Sequence, residues 1–367
     1  MSKHTQEDFQ RNVVIESANE FAVKCGLKLM FENDTDSKWD IILNKCPYIP
    51  VSYLKDSAAY QLAYQKCHHG NWIDLSCVIL WGDELAAVWP ISLAQLNSGT
   101  TISSQGQPLL PPLFSGMVKK SAKRDITKLC INFLYLLSNL YRVERIVSSD
   151  PFFNNLGLNE WNFQLSELGA KCEICYDLYL QIQSSIKPIF RGFRRTLRDR
   201  IKQGQKLWKS GVLTSDSEDI HTVWQEFQNL HLDVSGRLTR SAETWELQKK
   251  TIFNSNAILV FLRDDKNKMI GGGYFTFSRD EALYAVAAYD RSLFKLPIGH
   301  LVQYIAIENF VRRGIKWYRI GNLPHSSEKP KPTEKELAIG DFKKQFSSHI
   351  FPTFKFEFQH NISITNE

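Results

Sequence analysis

Hydrophobic and polar positions alternate along this chain in two passages that repeat one order of elements. In residues 1–25, Val14, Ala18, Phe21 and Ala22 return at helical spacing. Leu27–Phe31 reads as a strand, and Ser37–Leu43 and Asp56–Cys67 read as helices. Strands are predicted at Ser76–Trp81 and Leu85–Leu93 around the turn Gly82-Asp83-Glu84, with a third at Thr100–Gln105. A Pro/Gly-rich loop, a helix over Ala122–Tyr141, a short strand at Arg145–Ser148, a helix at Asn155–Leu168 and a strand at Cys172–Ile182 complete the first passage.

The second passage opens with a basic helix over Phe190–Ser210 and a strand at Val212–Ser215. Helices follow at Glu218–Leu230 and Ala242–Phe253, then the hairpin strands Ala257–Leu262 and Met269–Phe277 and a third strand, Ala282–Tyr289. The helix Ile298–Arg313, closed by Gly314, leads to a strand at Lys316–Ile320, a helix at Glu334–Phe346 and a strand at Phe351–Phe358. Each passage thus reads as two helices, three antiparallel strands, a loop, a long helix, a strand, a helix and a strand. The fold class is α/β, and the expected domains are 1–183 and 184–367.

Composition agrees with two domains. The chain has 367 residues, 43% hydrophobic and 23% charged, which excludes a disordered scaffold. The polar N-terminus MSKHTQEDFQ carries no signal-peptide pattern, and Leu129–Tyr141 is too short and polar to span a bilayer. Seven cysteines without even spacing lead us to expect reduced thiols and a cytoplasmic protein. Charge changes the picture more. Residues 186–210 hold nine basic side chains against Asp199 alone, so this window carries +8 and the rest of the +6 chain sums to −2. An anionic partner is expected to meet the chain there.

Several short motifs carry a resemblance. They are RGFRRTLRDRIKQG from Arg191 to Gly204, LHLDVSGRLTRSAET from Leu230 to Thr244, Gly271-Gly272-Gly273, AYDR from Ala288 to Arg291, LPIGH from Leu296 to His300, WYRIG from Trp317 to Gly321 and FKKQF from Phe342 to Phe346. Together with the element order they resemble the FemAB-like proteins, tandem GNAT-fold acyltransferases. In the first passage the likeness is one of pattern only. The resemblance implies two GNAT-like domains, each a mixed, mostly antiparallel sheet flanked by helices, with the first supporting the second. It also implies an N-acyltransferase using acetyl-CoA or another acyl-CoA, or aminoacyl-tRNA in the Fem-type variant. The acceptor would be a small or nucleotide-linked amine, such as an amino sugar of a cell-envelope glycan precursor. A protein that kept the fold and lost the chemistry is the third reading.

In that pattern the acyl group meets its acceptor at the end of the third strand, which points to Tyr289, Asp290 and His300 as catalytic candidates. Arg194, Arg195 and Arg198 of the basic helix, Arg237 and Arg240 of the following helix junction, and Lys295 and Gly299 of the loop suit phosphate or carboxylate groups. Lys343 is a phosphate contact by resemblance. The loop departs from the family pattern of spaced glycines: only Gly299 remains, and Pro297 lacks an N–H. The glycine run suits either a ligand's close approach or a simple loop exit. Cys172-x-x-Cys175 lies in an alternating strand, and His68-His69 with Asp74 lacks the spacing of a known site, so no metal is expected. No nucleophile elbow, P-loop or dinucleotide fingerprint exists, which favours direct attack over a covalent acyl-enzyme.

Overall fold

The computed structural model describes residues 3–31, 35–68, 70–150 and 159–359. In chain order the elements begin α1 (Lys3–Lys24), β1 (Lys28–Phe31), α2 (Thr35–Lys45), α3 (Lys55–His68), β2 (Asn71–Asp74), β3 (Cys77–Trp81), β4 (Glu84–Trp89), β5 (Ser92–Leu96), β6 (Gly99–Ser103) and β7 (Leu113–Phe114). Next come α4 (Lys120–Tyr141), β8 (Arg145–Ser149), α5 (Glu160–Glu167), β9 (Lys171–Gln181), α6 (Ile186–Gly192), α7 (Arg195–Leu207) and β10 (Lys209–Leu213). The rest are α8 (Ile220–Ser235), α9 (Ala242–Phe253), β11 (Ala257–Arg263), β12 (Met269–Phe277), β13 (Glu281–Tyr289), α10 (Ile298–Arg312), β14 (Trp317–Asn322), α11 (Glu334–Lys344) and β15 (His349–Gln359). The start of the helix expected at Asn155, and His69 of the paired histidines, lie outside the described residues.

The chain forms two compact units. The first holds residues 1–48, 57–174 and 353–367, and the second holds 49–56 and 175–352. A single cut at 183/184 does not describe them, because each unit takes a segment from the other passage of sequence.

In the first unit, β1–β3–β4–β7 make an antiparallel sheet and β2–β5–β6 a smaller one. The apolar run expected as one strand over Leu85–Leu93 is two strands in two sheets. It breaks at Pro90, which cannot donate to a ladder. Ile126, Cys130, Phe133, Leu134 and Leu137 line the buried stripe of α4, against which Val14, Ala18 and Ala22 of α1 pack.

In the second unit, β10–β11–β12–β13–β14–β9 run side by side; the β13–β14 pair is parallel and the others are antiparallel. Helices α6, α7 and α10 cover one face, with Leu197, Ile201, Ile298 and Val302 in its core. Helices α8 and α9 cover the other, with Trp224, Phe227 and Ile252. The expected single helix over Phe190–Ser210 is two helices and the start of a strand. It opens after Gly192, where Phe193 turns extended and inserts its ring beside Phe346, 5.9 Å between centroids. Beyond Trp208 the chain joins the sheet instead, Lys209 pairing with Arg263. At the end of α10, Gly314 takes φ +69°, and the Gly314 and Ile315 N–H groups bond back to Val311 and Phe310, both at 3.1 Å.

The glycine run answers to helix packing. A Cβ on Gly271 or Gly273 would stand 2.9 Å from Ile298 or 2.8 Å from Val302 of α10, and one on Gly272 would stand 2.9 Å from Phe227 of α8. The alternating faces of β12 thereby admit a helix on each side.

Candidate functional site

Tyr284 and Tyr289 are five residues apart on β13, an odd spacing that in a regular strand puts side chains on opposite faces. Pairing with β12 slips between Tyr274↔Val286 and Phe275↔Tyr284, leaving Ala285 as a bulge. The strand's parity inverts there. Ala282 and Tyr284 pack with the α10 face, Val286 and Ala288 with the α8 face, and Tyr289 returns to the α10 face. The two hydroxyls meet at 3.0 Å.

This meeting point follows the place where β13 and β14 stop pairing. The parallel register of β13 with β14 covers only Glu281↔Trp317, Ala282↔Tyr318 and Leu283↔Arg319, although β13 continues to Tyr289 and β14 to Asn322. A second irregularity, between Arg319 and Gly321 in the pairing with β9, bends β14 where the register ends. Fully buried Tyr318 donates to Gln303 Oε1 of α10 at 2.5 Å, and Tyr284 stacks on Phe275, 5.2 Å between centroids. Burial pushes the Tyr284 phenol up to about 12 and holds Tyr289 well above the ordinary tyrosine value. Both are protonated at neutral pH, so they donate protons and do not serve as bases.

The residues singled out in the sequence around Tyr289 part company. Asp290 turns away and caps the short 3₁₀ turn Arg291–Leu293, accepting from Ser292 N at 2.9 Å and Ser292 Oγ at 2.7 Å; these bonds hold its carboxyl below the usual range. It lines an open cavity of about 540 Å³ with Glu226, Asn229, Asp233, Lys268 and Arg291. His300, in the first turn of α10, lies edge-on to Phe342 at 5.2 Å. Burial, with Arg200 nearby, lowers it to about 4, so it is a neutral ring at physiological pH.

The cationic candidates spread over three places. Arg194 precedes α7, Arg195 is exposed and reaches Asp199 at 3.8 Å, and Arg198 donates to the Arg191 carbonyl at 2.9 Å. Exposed Lys295 is tied to α7 through its carbonyl, which accepts from Arg200 at 3.0 Å. Arg237 is exposed after α8, while Arg240 bonds His231 Nε2 at 2.9 Å and lies over Trp245. Gly299 is buried where a Cβ would meet Phe342 at 3.1 Å. Lys343 lies where Gly321, at φ +123°, leaves room: its Nζ is 2.7 Å from the place a Cβ would take. Desolvation lowers its pKa.

The loop before α10 fits a diphosphate poorly. Pro297 has no N–H, and the Ile298 N–H is taken by the Leu296 carbonyl at 2.9 Å. Sequence reasoning missed Tyr284, Gln303 and the Arg319–Asp177 pair, 2.6 Å apart beneath the end of β14. Gln303 alone had a visible signal, as a polar residue inside the apolar run Ile298–Ile307. Among the described residues no helix is long and apolar enough to cross a membrane, and no cluster of His, Cys, Asp and Glu has the geometry to hold a metal ion.

No sequence-family profile and no curated protein matches the chain. Solved structures do. FemX aligns with 89% of this chain and 96% of its own at a TM-score of 0.65 and 13% identity. L-PGS from Bacillus licheniformis covers 91% of this chain and 95% of its own, TM-score 0.56 and 10% identity. A tandem GNAT protein from the clavulanic acid biosynthesis pathway covers 92% and 99%, TM-score 0.50 and 10% identity. The chain has the FemAB-like, tandem GNAT fold.

Proposed function

We propose that the protein is an N-acyltransferase, moving an acetyl or aminoacyl group from an activated donor to an amine by direct attack in a ternary complex. The observation that carries this reading is the end of pairing between β13 and β14 after Leu283, with the protonated Tyr284 and Tyr289 hydroxyls in contact just beyond it. The amine nitrogen bonds to the acyl carbon as the donor's carbon–heteroatom bond breaks, Tyr289 donates its proton to the departing atom, and the proton shed by the newly formed ammonium returns through solvent to the phenol. Positioning supplies most of the remaining acceleration. Arg194, Arg195, Arg198 and Lys295 would hold the donor's phosphates, and Lys343 would offer a further cation at the end of β14. Arg237 and Arg240 would meet an anionic group on the acceptor, an amino sugar or nucleotide-linked cell-envelope precursor as the resemblance to the Fem-type transferases implies. The work would take place in the cytoplasm.

Aminoacyl-tRNA is the second donor reading, favoured by the loop before α10, whose proline and occupied N–H suit a diphosphate poorly. Calorimetry and thermal shift with acetyl-CoA, beside filter binding of charged tRNA, separate the cases. Stabilisation by acetyl-CoA with no tRNA retention supports acyl-CoA as donor; tRNA retention without a shift supports the Fem-type donor. If neither ligand binds, acyl transfer is abandoned for a binding protein that retained the fold.

A further inference from the structure

The cavity of about 540 Å³ that Asp290 lines lies on the α8 side of the second unit, and no step proposed above uses it. Its helix wall is set by periodicity. Glu226, Leu230 and Asp233 return along one face of α8, which puts the two acids two turns, about 10 Å, apart. Its strand wall is set by register. Arg263 lies opposite Met269, and the Asp290 N–H donates to the Ile270 carbonyl at 2.9 Å, carrying the ladder one residue past Tyr289. Leu230 and Met269, both buried, give the cavity an apolar lining between its charges.

Those charges are treated unequally. Glu226 and Arg263 meet at 2.6 Å and neutralise each other. Arg263 also donates to the Asn267 carbonyl at 2.8 Å, and Asp264 Oδ1 accepts from Lys268 N at 2.8 Å, so the turn that presents Lys268 is braced twice. Asp290 is committed to Ser292. Asp233, Lys268 and Arg291 are exposed, and among the described residues their side chains make no hydrogen bond and no ion pair. One acid and two bases thus line a single cavity without reaching one another. A ligand carrying both signs satisfies them together, whereas a ligand of one sign also meets a group that repels it.

We propose that this cavity binds a small zwitterion, whose ammonium donates to Asp233 and whose carboxylate or phosphate accepts from Lys268 and Arg291. Its size and its charge-assisted bonds suit molecules between a dipeptide and a phosphorylated amino sugar. The inference does not depend on acyl transfer.

The test is calorimetry on the full chain, slightly below neutral pH, with four probes. Glycylglycine and glucosamine 6-phosphate carry both charges; glucosamine and glucose 6-phosphate each lack one. Glucosamine 6-phosphate is expected to bind about tenfold or more tighter than either analogue, as for the loss of one bond to a charged group. Asp233→Asn, and Lys268→Gln combined with Arg291→Gln, are each expected to weaken the zwitterion about tenfold. Asp233→Asn should leave glucose 6-phosphate unweakened, and the double variant should leave glucosamine unweakened. Binding of glycylglycine alone supports the site with a carboxylate as its anion; binding of glucosamine 6-phosphate alone supports it with a phosphate. Equal weakening of every probe in a variant, as from a disturbed fold, overturns the inference. So do zwitterions that bind no better than the singly charged analogues, or no heat from any probe at millimolar concentration. No acyl donor enters these measurements, so their failure leaves the acyl-transfer reading to its own test.

Discussion

Two carboxylates bracket β13, and they are held in opposite states. Glu281 opens the strand, fully enclosed, with Val51 N donating to Oε2 at 2.7 Å and Tyr179 O–H to Oε1 at 3.5 Å. Burial pushes it up to about 7, against the pull of Arg319. Asp290 follows the strand's last residue, largely in water, and its bonds from Ser292 hold it ionised to lower pH than usual. Sequence distance to the candidate site therefore predicts little. The acid beside Tyr289 is a turn cap, while the acid with a near-neutral titration accepts from Val51 N at the far end of the strand. Proton-donating capacity beyond the end of β13–β14 pairing falls to groups that burial keeps neutral, the phenols.

The largest disturbance of the Tyr289 end comes through its partner in register, Gly271. A Cβ there would stand 2.9 Å from Tyr289 Cδ1 and 2.9 Å from Ile298. Gly271→Val is expected to lower stability by about 3 kcal/mol, the upper range for overpacking a core, and to shift the urea midpoint accordingly. An unchanged midpoint would mean that the ring and the helix move aside freely, and the tight geometry argued for Tyr289 would fail with it.

Much of the fold was legible because hydrophobic periodicity is a local signal. The helices Ala242–Phe253 and Ile298–Arg312 and the strand Met269–Phe277 appear where their patterns place them. What was hidden depends on register or on neighbours. The run Leu85–Leu93 is apolar throughout, and only the allocation of its halves to two sheets makes Pro90 a boundary. The amphipathic pattern of Phe190–Ser210 continues across the break at Gly192 because Phe193 is buried on either account. The glycines of β12 were visible, but the helices that crowd them were not. At the candidate site the meeting of Tyr284 with Tyr289 hangs on one bulged residue. A bulge is set by pairing with another strand and leaves no mark in the spacing of β13 itself.

The next effect belongs to Glu281. Its folded value near 7 lies above the ordinary 4.5, so the folded state holds the proton more tightly than the unfolded chain does. Stability from this group is complete below pH 4.5 and is lost as pH rises toward and through 7, by up to about 3 kcal/mol. Glu281→Gln keeps an oxygen to accept from Val51 N and removes the titration. Thermal melts from pH 5 to 8 are expected to fall more steeply in the wild type than in the variant. Parallel curves would show that Glu281 is ionised throughout and that the enclosing groups pay its charge no penalty.

Asp290 makes the smallest change and carries the opposite sign. Its folded value is lowered, so what it contributes is present at neutral pH and is lost as pH falls through the acid range. Asp290→Ala removes two bonds to Ser292 in a solvent-washed turn, and screening keeps the loss well under about 1 kcal/mol. The measurement that matters is turnover. A turn cap permits Asp290→Asn to keep kcat within a few-fold, because an amide oxygen still accepts from Ser292, and any defect should not depend on pH. A general base at this position would instead lose turnover by 100-fold or more in the asparagine variant and would carry the acid limb of the pH profile with it. That result would return the chemistry to the charged cavity on the α8 face and leave the phenols as packing.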